Sequence, residues 1–323
     1  MSRRIGRILL RAVVTLMTVA ILNFILFRII PGDPARLLLG GARVSVTPEQ
    51  MDAQRQNWGL DRPLFPDQVV DYLSATLSGD FGYSFKFRGR QVADLILERL
   101  PATIALVGLA QFIAILGGVI LGLYAGWRRG GAVDHIATGT SLALYSTPSF
   151  WLGMLLVVIF STVLGWFPGY GAYSPGAITG SLGSFLDYLR HLTLPVSAVA
   201  LGLIGQYVVV ARAAMSDVVT EDYMVTARAK GLTNSQMLIS HAFRNAMLPV
   251  VTLVTLNLGY VVAGAITVEA VFAWPGIGGL TVEALNARDY PVLQGIFLLL
   301  GASIVVANLI ADLAYGLLDP RVR

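Results

Sequence analysis

Residues 101–127 read PATIALVGLAQFIAILGGVILGLYAGW and contain no charged side chain. At a rise of roughly 1.5 Å per residue this run makes about 40 Å of helix, more than the ~30 Å hydrocarbon layer of a bilayer requires. The stretch therefore reads as a transmembrane helix. Four further charge-free runs occupy 136–186, 192–211, 245–268 and 290–311. The first of them is too long for one span and carries Pro168-Gly169-Tyr170-Gly171 and Ser174-Pro175-Gly176, so its helix is expected to end near Leu164, with a loop after it. A span near Leu9 to Ile30 brings the number to six. The expected fold is all-α and polytopic, with a short helical outer segment after the first helix.

The composition leads to the same place. Of 323 residues, 55% are hydrophobic and only 13% are charged, against roughly 25% charged in an ordinary soluble domain. Mean hydropathy is +0.70. So few polar side chains do not cover a globule of this size, and lipid must be the solvent for much of the chain. The net charge of +4 matches the basic excess of cytoplasmic loops and carries no argument for nucleic acid. With no cysteine, thiolate metal sites, disulfides and a Cys nucleophile are excluded.

The basic residues orient the spans. Arg3, Arg4, Arg7 and Arg11 precede the apolar stretch Ala12 to Phe27, a pattern shared with secretory signals. Pro31-Gly32-Asp33-Pro34 follows instead of a small-x-small cleavage site, so the stretch is read as an uncleaved first span, residues 1–30. With a cytoplasmic N-terminus, the same side receives Arg128 and Arg129, then Arg212, Arg228, Lys230 and Arg244, then Arg321 and Arg323. Both termini are then cytoplasmic. Residues 31–99 are extracytoplasmic, 100–318 form the transmembrane core with a cytoplasmic loop at about 212–248, and 319–323 are the C-terminal tail. In the outer segment, Thr47-Pro48-Glu49-Gln50 starts one short helix that Asn57-Trp58-Gly59 stops. A second begins near Pro66, with Val69, Val70, Leu73 and Leu77 on one face, and ends before Gly79. This segment is expected to be a packed lid.

No catalytic constellation is legible. His135, His191 and His241 lie in no H-E-x-x-H, and G-x-S-x-G is absent. Leu77 occupies the position where an intramembrane G-x-G-D aspartyl motif at Asp80 would need Gly. A P-loop places Lys directly after Gly, but Lys86 follows Phe85 and Lys230 follows Ala229. The chain is therefore expected to be no enzyme and to hold neither metal nor nucleotide cofactor.

The most informative loop runs from Glu221 to Leu232, EDYMVTARAKGL. It has acidic residues at its start, no breaker from Met224 to Lys230, and Gly231 placed to end a short surface helix. His241-Ala242-Phe243-Arg244-Asn245 and Leu248-Pro249 follow. Here the sequence resembles the EAA-type loop of ABC-transporter permeases, in the form found in dipeptide and oligopeptide importers. Pro31-Gly32-Asp33-Pro34, Gly59-Leu60-Asp61-Arg62-Pro63, Gly79-Asp80-Phe81-Gly82-Tyr83-Ser84 and Arg99-Leu100-Pro101-Ala102-Thr103 extend the resemblance through the first half. Glu269-Ala270-Val271-Phe272, Pro275-Gly276-Ile277-Gly278, Arg288-Asp289-Tyr290-Pro291 and Asp319-Pro320-Arg321 extend it through the second. The long outer segment resembles that of the B-type permease. Val225 and Thr226 stand where the general EAA pattern has Glu and Ala, and Pro249 lies further from Gly231, as in the peptide-importer branch.

The resemblance implies a type I importer permease in the bacterial or archaeal inner membrane, forming half of a translocation pathway. It implies a related C-type permease, two cytoplasmic ATPase subunits carrying ATP and Mg, and an extracytoplasmic solute-binding protein as partners. Tyr223, Ala227, Arg228, Ala229, Lys230 and Gly231 are the candidate ATPase-coupling residues, although Arg228 and Lys230 also read simply as solvated positive-inside charges. Gly231→Val and Ala227→Glu are both expected to uncouple transport while leaving the subunit stable. Glu269 and Phe272 are candidate gate or pathway residues, with Glu269 solvated or pore-facing near the outer end of span five. Asp312 and Arg321 read as a pair, and the five tryptophans as interfacial anchors or packing. The alternatives are an ion-coupled secondary transporter, which needs mid-membrane ionisable groups, and a membrane scaffold, which needs no such loop. The solute is left open among dipeptides, oligopeptides, glutathione, nickel chelates, haem and oligosaccharides.

Overall fold

The computed structural model describes residues 2–29, 63–176, 180–263 and 265–318. The first outer helix, the Pro31 to Pro63 motifs (Pro63 apart), the Asp312–Arg321 pair and the C-terminal tail lie outside the described residues or side chains. The described residues are mostly helical, with an isolated β-bridge between Tyr83 and Gln91 and non-helical connections at 79–91 and 164–176. Five helices are long and apolar enough to cross a membrane, and a sixth candidate is a bent pair. The polytopic all-α expectation therefore holds.

The chain divides into two compact units. One contains Met1–Pro101 and Leu280–Arg323, the other Ala102–Gly279. In the first, α1 (Ser2–Ile29) packs along the last helix, Tyr290–Leu318. The seam is close because Gly301 faces Val19, where an added Cβ would collide with a side-chain methyl. Asn23 donates to the Gln294 carbonyl (3.0 Å) across the same seam. The helix α2 (Val69–Ser78) ends as expected at Gly79, whose φ of 76° lets Asp80 N–H reach the Ala75 carbonyl at 2.9 Å. The following loop is tied down by Asp289. This fully buried carboxylate accepts from the Ser84 hydroxyl and from the backbone N–H groups of Phe85 (3.1 Å) and Lys86 (3.0 Å).

The second unit is organised around one long helix. α3 (Val92–Trp127) enters it at Ala102, followed by α4 (Ala132–Ser146), α5 (Ser149–Leu156, prolonged by a wide turn Val157–Val163) and α6 (Leu182–Val219). Next come α7 (Asp222–Ala229), α8 (Asn234–Met237, prolonged by Leu238–Phe243), α9 (Arg244–Leu258), α10 (Tyr260–Ala263) and α11 (Ile266–Val271). α4, α5 and α9 all pack on α6. α3 meets α6 through a glycine stripe: Cβ atoms at Gly118, Gly122 and Gly126 would stand 2.6 Å from Tyr207 Cβ, the Val208 carbonyl and the Arg212 carbonyl. Small residues one turn apart let two backbones approach, which is how packing is gained where lipid offers no hydrophobic drive. Asp134, 2% exposed, is held by a bidentate Arg212 pair at 2.8 and 2.9 Å and by Gly130 N–H at 2.9 Å.

Two expectations about the spans need correction. The third was read as one helix to Leu164, but α4 and the α5 segment meet at 99°. The bend falls at Thr147-Pro148, where Thr147 is extended (φ −91°, ψ 126°), because a residue before proline is pushed out of the α region. The fifth was read as continuous from Asn245 to Val268. Its helix is interrupted at Gly259, which keeps right-handed helical angles (φ −62°, ψ −27°), and Glu269 belongs to a separate short helix entered through the non-helical Ala265 (φ −110°, ψ 73°).

Candidate functional site

The loop between α6 and α9 is built from two back-to-back helix signals. α7 ends in a complete Schellman arrangement: Gly231 N–H donates to the Arg228 carbonyl (3.0 Å) and Leu232 N–H to the Ala227 carbonyl (3.3 Å). Gly231 is left-handed at φ 79° and faces open space. Two residues later Thr233 and Gln236 form a reciprocal capping box that starts α8. One helix is thus stopped and the next started within about three residues by local hydrogen bonds alone.

Packing decides which face of α7 is free. Met224 and Ala227, three apart, are buried in a cluster with Leu123, Met215, Met237, Ala242 and Ala246. Tyr223, Arg228, Ala229, Lys230 and Gly231 are all exposed. Tyr223 is also fixed, since its hydroxyl accepts from Asn245 Nδ2 at 3.0 Å. Five of the six candidate coupling residues are therefore exposed, and Ala227 is not. The expectation that Ala227→Glu leaves the subunit stable is corrected accordingly, because it would thrust a carboxylate among the methionines that seat the loop. Sequence reading also missed three exposed apolar residues of this loop, Val225 (65% exposed), Ile239 (70%) and Phe243. Val225 was visible as the departure from the EAA pattern, whereas nothing in the sequence marked Ile239 and Phe243 as exposed.

Glu269 and Phe272 are placed differently from their expected gate positions. Phe272 is 1% exposed in a core with Trp274, Leu106 and Val157, and Glu269 is fully buried. The Thr103 hydroxyl donates to Glu269 Oε1 (2.8 Å), Gly279 N–H donates to Oε2 (3.1 Å), and Thr103 in turn accepts from Ile277 N–H (2.8 Å). The carboxylate thus sits at the start of the helix Ile277–Ala287, where unpaired N–H groups and the helix dipole favour negative charge. Gly276 is required by this arrangement, since a Cβ there would run into both Glu269 Oε2 and Thr103 Oγ1. The solvated-gate expectation is therefore corrected: an acid after an apolar run can be stabilised by backbone donors that only the folded turn supplies. Glu269→Ala is expected to lower stability by about 3 kcal/mol, the scale of hydrogen bonds to a charged group, and Glu269→Gln by less. Melting of the purified complex checks this, and equal midpoints for wild type and Glu269→Ala would refute the bracing role.

An α-helical protein with five, or counting the bent pair six, candidate spans among its described residues belongs to the class of polytopic membrane proteins. Residues 118–323 match the family described as binding-protein-dependent transport system inner membrane component, and residues 1–107 match its N-terminal companion. The chain is 39% identical to the di/tripeptide transport system permease protein DppB of Pseudomonas aeruginosa, covering 100% of this chain and 98% of that one. It is 38% identical to the dipeptide transport system permease protein DppB of Escherichia coli K12, covering 99% and 97%. Among solved structures it resembles the MetNI methionine ABC transporter in an inward-facing conformation, with a TM-score of 0.56 and 15% identity over 70% of this chain and 96% of that one. The chain belongs to the binding-protein-dependent transport system inner membrane component family. It is a permease subunit of an ABC importer, a multi-pass inner-membrane protein whose family implies partnership with ATPase and binding-protein components.

Proposed function

We propose that this chain forms half of a translocation pathway for di- or oligopeptides, completed by a related C-type permease and fed by an extracytoplasmic peptide-binding protein. The observation that carries the coupling part is the surface of α7: a short helix seated by Met224 and Ala227, stopped sharply at Gly231, with Tyr223, Arg228, Ala229 and Lys230 outward. A compact, rigidly seated helix transmits a push better than a loose loop does. Two ATPase subunits, which hold ATP and Mg, engage this surface, and their closure moves α7 and the spans it rests on. The chain itself performs no hydrolysis. The peptide solute is supported by full-length similarity to permeases named for dipeptides and tripeptides.

The termini and the loop at 212–248 lie in the cytoplasm and residues 31–99 outside, an orientation supported by the arginines that recur on one side. Reconstitution tests the reading. The pure chain should show no ATPase activity, while vesicles containing the permease pair and both ATPases should hydrolyse ATP faster with peptide-loaded binding protein and accumulate alanyl-alanine. Hydrolysis by the chain alone, or uptake driven by an ion gradient without ATP, contradicts it. In the same cysteine-free background Arg55→Cys should react with an impermeant maleimide in intact cells and Ser235→Cys only after permeabilisation; the reverse pattern inverts the orientation.

A further inference from the structure

A cluster of uncharged polar side chains lies among the apolar spans of the second unit. Gln111 on α3 donates through Nε2 to the Tyr207 hydroxyl, and Asn257 on α9 donates through Nδ2 to the same hydroxyl (3.1 Å) and to Gln206 Oε1 (3.2 Å). Gln111 follows Pro101 by ten residues, about 15 Å of helix and so near half the thickness of the hydrocarbon layer. Gln206 and Asn257 likewise stand well inside their charge-free runs. Gln111 and Tyr207 are buried and mutually satisfied. Gln206 and Asn257 are half-buried, and among the described residues Gln206 Nε2 and Asn257 Oδ1 take no hydrogen-bond partner.

One free amide donor and one free amide acceptor stand side by side, joined by the Asn257–Gln206 bond and anchored through Asn257 to Tyr207. Facing hydrocarbon, both would be unsatisfied at a cost that spanning proteins avoid. Gly202 precedes Gln206 by one turn on the same face of α6 and has open space where a Cβ would stand. The helix of span five is interrupted at Gly259, two residues after Asn257.

We propose that Gln206 and Asn257 line the translocation pathway at mid-membrane and exchange hydrogen bonds with the amide groups of the passing solute. A peptide group offers one C=O and one N–H, the complement of the free Gln206 Nε2 and Asn257 Oδ1. A neutral donor–acceptor pair binds any peptide backbone without selecting a side chain and, being uncharged, does not trap it. The choice of solute class rests on the peptide-transport reading above; the lining role does not.

The test uses the assembled importer in vesicles, isolated through a tag on an ATPase subunit. Gln206→Cys and Asn257→Cys are exposed to a small hydrophilic methanethiosulfonate, with Leu116→Cys, on an exposed apolar face of α3, as the comparison. Both pathway positions should label at least tenfold faster than position 116 in one or more nucleotide states, and alanyl-alanine with its binding protein should slow the reaction. If Asn257→Cys does not assemble, Gln206→Cys alone decides. Failure of both positions to label in every nucleotide state, as expected if the face is sealed against the partner permease, overturns the proposal. In uptake, Gln206→Leu combined with Asn257→Leu should lower alanyl-alanine transport about tenfold, the scale of a single interaction of RT ln 10. An unchanged rate also overturns it. Fast labelling in an importer whose wild-type form takes up no peptide would leave the lining role standing and remove the peptide reading instead.

Discussion

Gly231→Val is expected to abolish ATP-driven uptake, by tenfold or more, while the subunit inserts and assembles normally. Gly231 has φ 79° and nothing within 4 Å of where its Cβ would stand, so the substitution meets no clash within the chain. Its cost is conformational. A β-branched residue resists the left-handed region by roughly 1–2 kcal/mol, and that strain is relieved by releasing the Schellman bonds from Gly231 and Leu232 to the end of α7. The helix then loses its fixed stop and its bearing relative to α8, although Met224 and Ala227 still anchor its inner face. ATP hydrolysis by the complex should persist and cease to respond to loaded binding protein. Arg228→Ala should be much milder, because a single exposed charge contact is worth about 0–1 kcal/mol. Uptake, ATPase rate and complex recovery measured on the same vesicles decide the matter. Stimulated uptake at the wild-type rate in the Gly231→Val complex would show that this loop does not carry the coupling.

Gly122→Val should remove the subunit from the membrane altogether. A Cβ at position 122 would lie 2.6 Å from the Val208 carbonyl oxygen, 2.8 Å from Ala211 Cβ and 3.0 Å from Val208 Cα. Overpacking costs roughly 1–3 kcal/mol where side chains can shift. Here the nearest obstacle is the main chain of α6 at Val208, so α3 and α6 must separate and the close contacts along the stripe from Gly118 to Gly126 are lost. Gly117→Val is the matched comparison, since the neighbouring glycine is exposed and has nothing within 4 Å. Its level in the membrane fraction should equal wild type, whereas Gly122→Val should be depleted by degradation. Equal levels of the two variants would falsify the account of the stripe as a close helix contact.

What the sequence determined by itself is whatever depends on local composition and on short-range hydrogen bonding. The charge-free runs located the spans, because exclusion of ionised groups from hydrocarbon acts on every residue of a run without reference to its neighbours in space. Gly79 and Gly231 were legible as helix stops, because a Schellman end is completed within six residues. The bend at Thr147-Pro148 was legible too and was passed over, since the run of apolar residues concealed a local rule about the residue before proline.

The remainder belonged to the tertiary structure. No pattern within Glu269-Ala270-Val271-Phe272 shows that the acid will meet Thr103, which lies 166 positions earlier in the chain. Its burial is possible only because those donors converge on it. Ala227 and Arg228 are neighbours in one motif, yet one is buried and the other exposed, because Met237 and the end of α6 cover one side of α7 and leave the other open. The carboxamides of Gln206 and Asn257 lie on separate spans and were unremarkable singly; the fold made them a pair by bringing Asn257 Nδ2 to both Gln206 Oε1 and the Tyr207 hydroxyl. A local rule sets where a helix runs and stops, but the partner of a buried polar group is set by contacts distant in sequence, which one chain's pattern does not encode position by position.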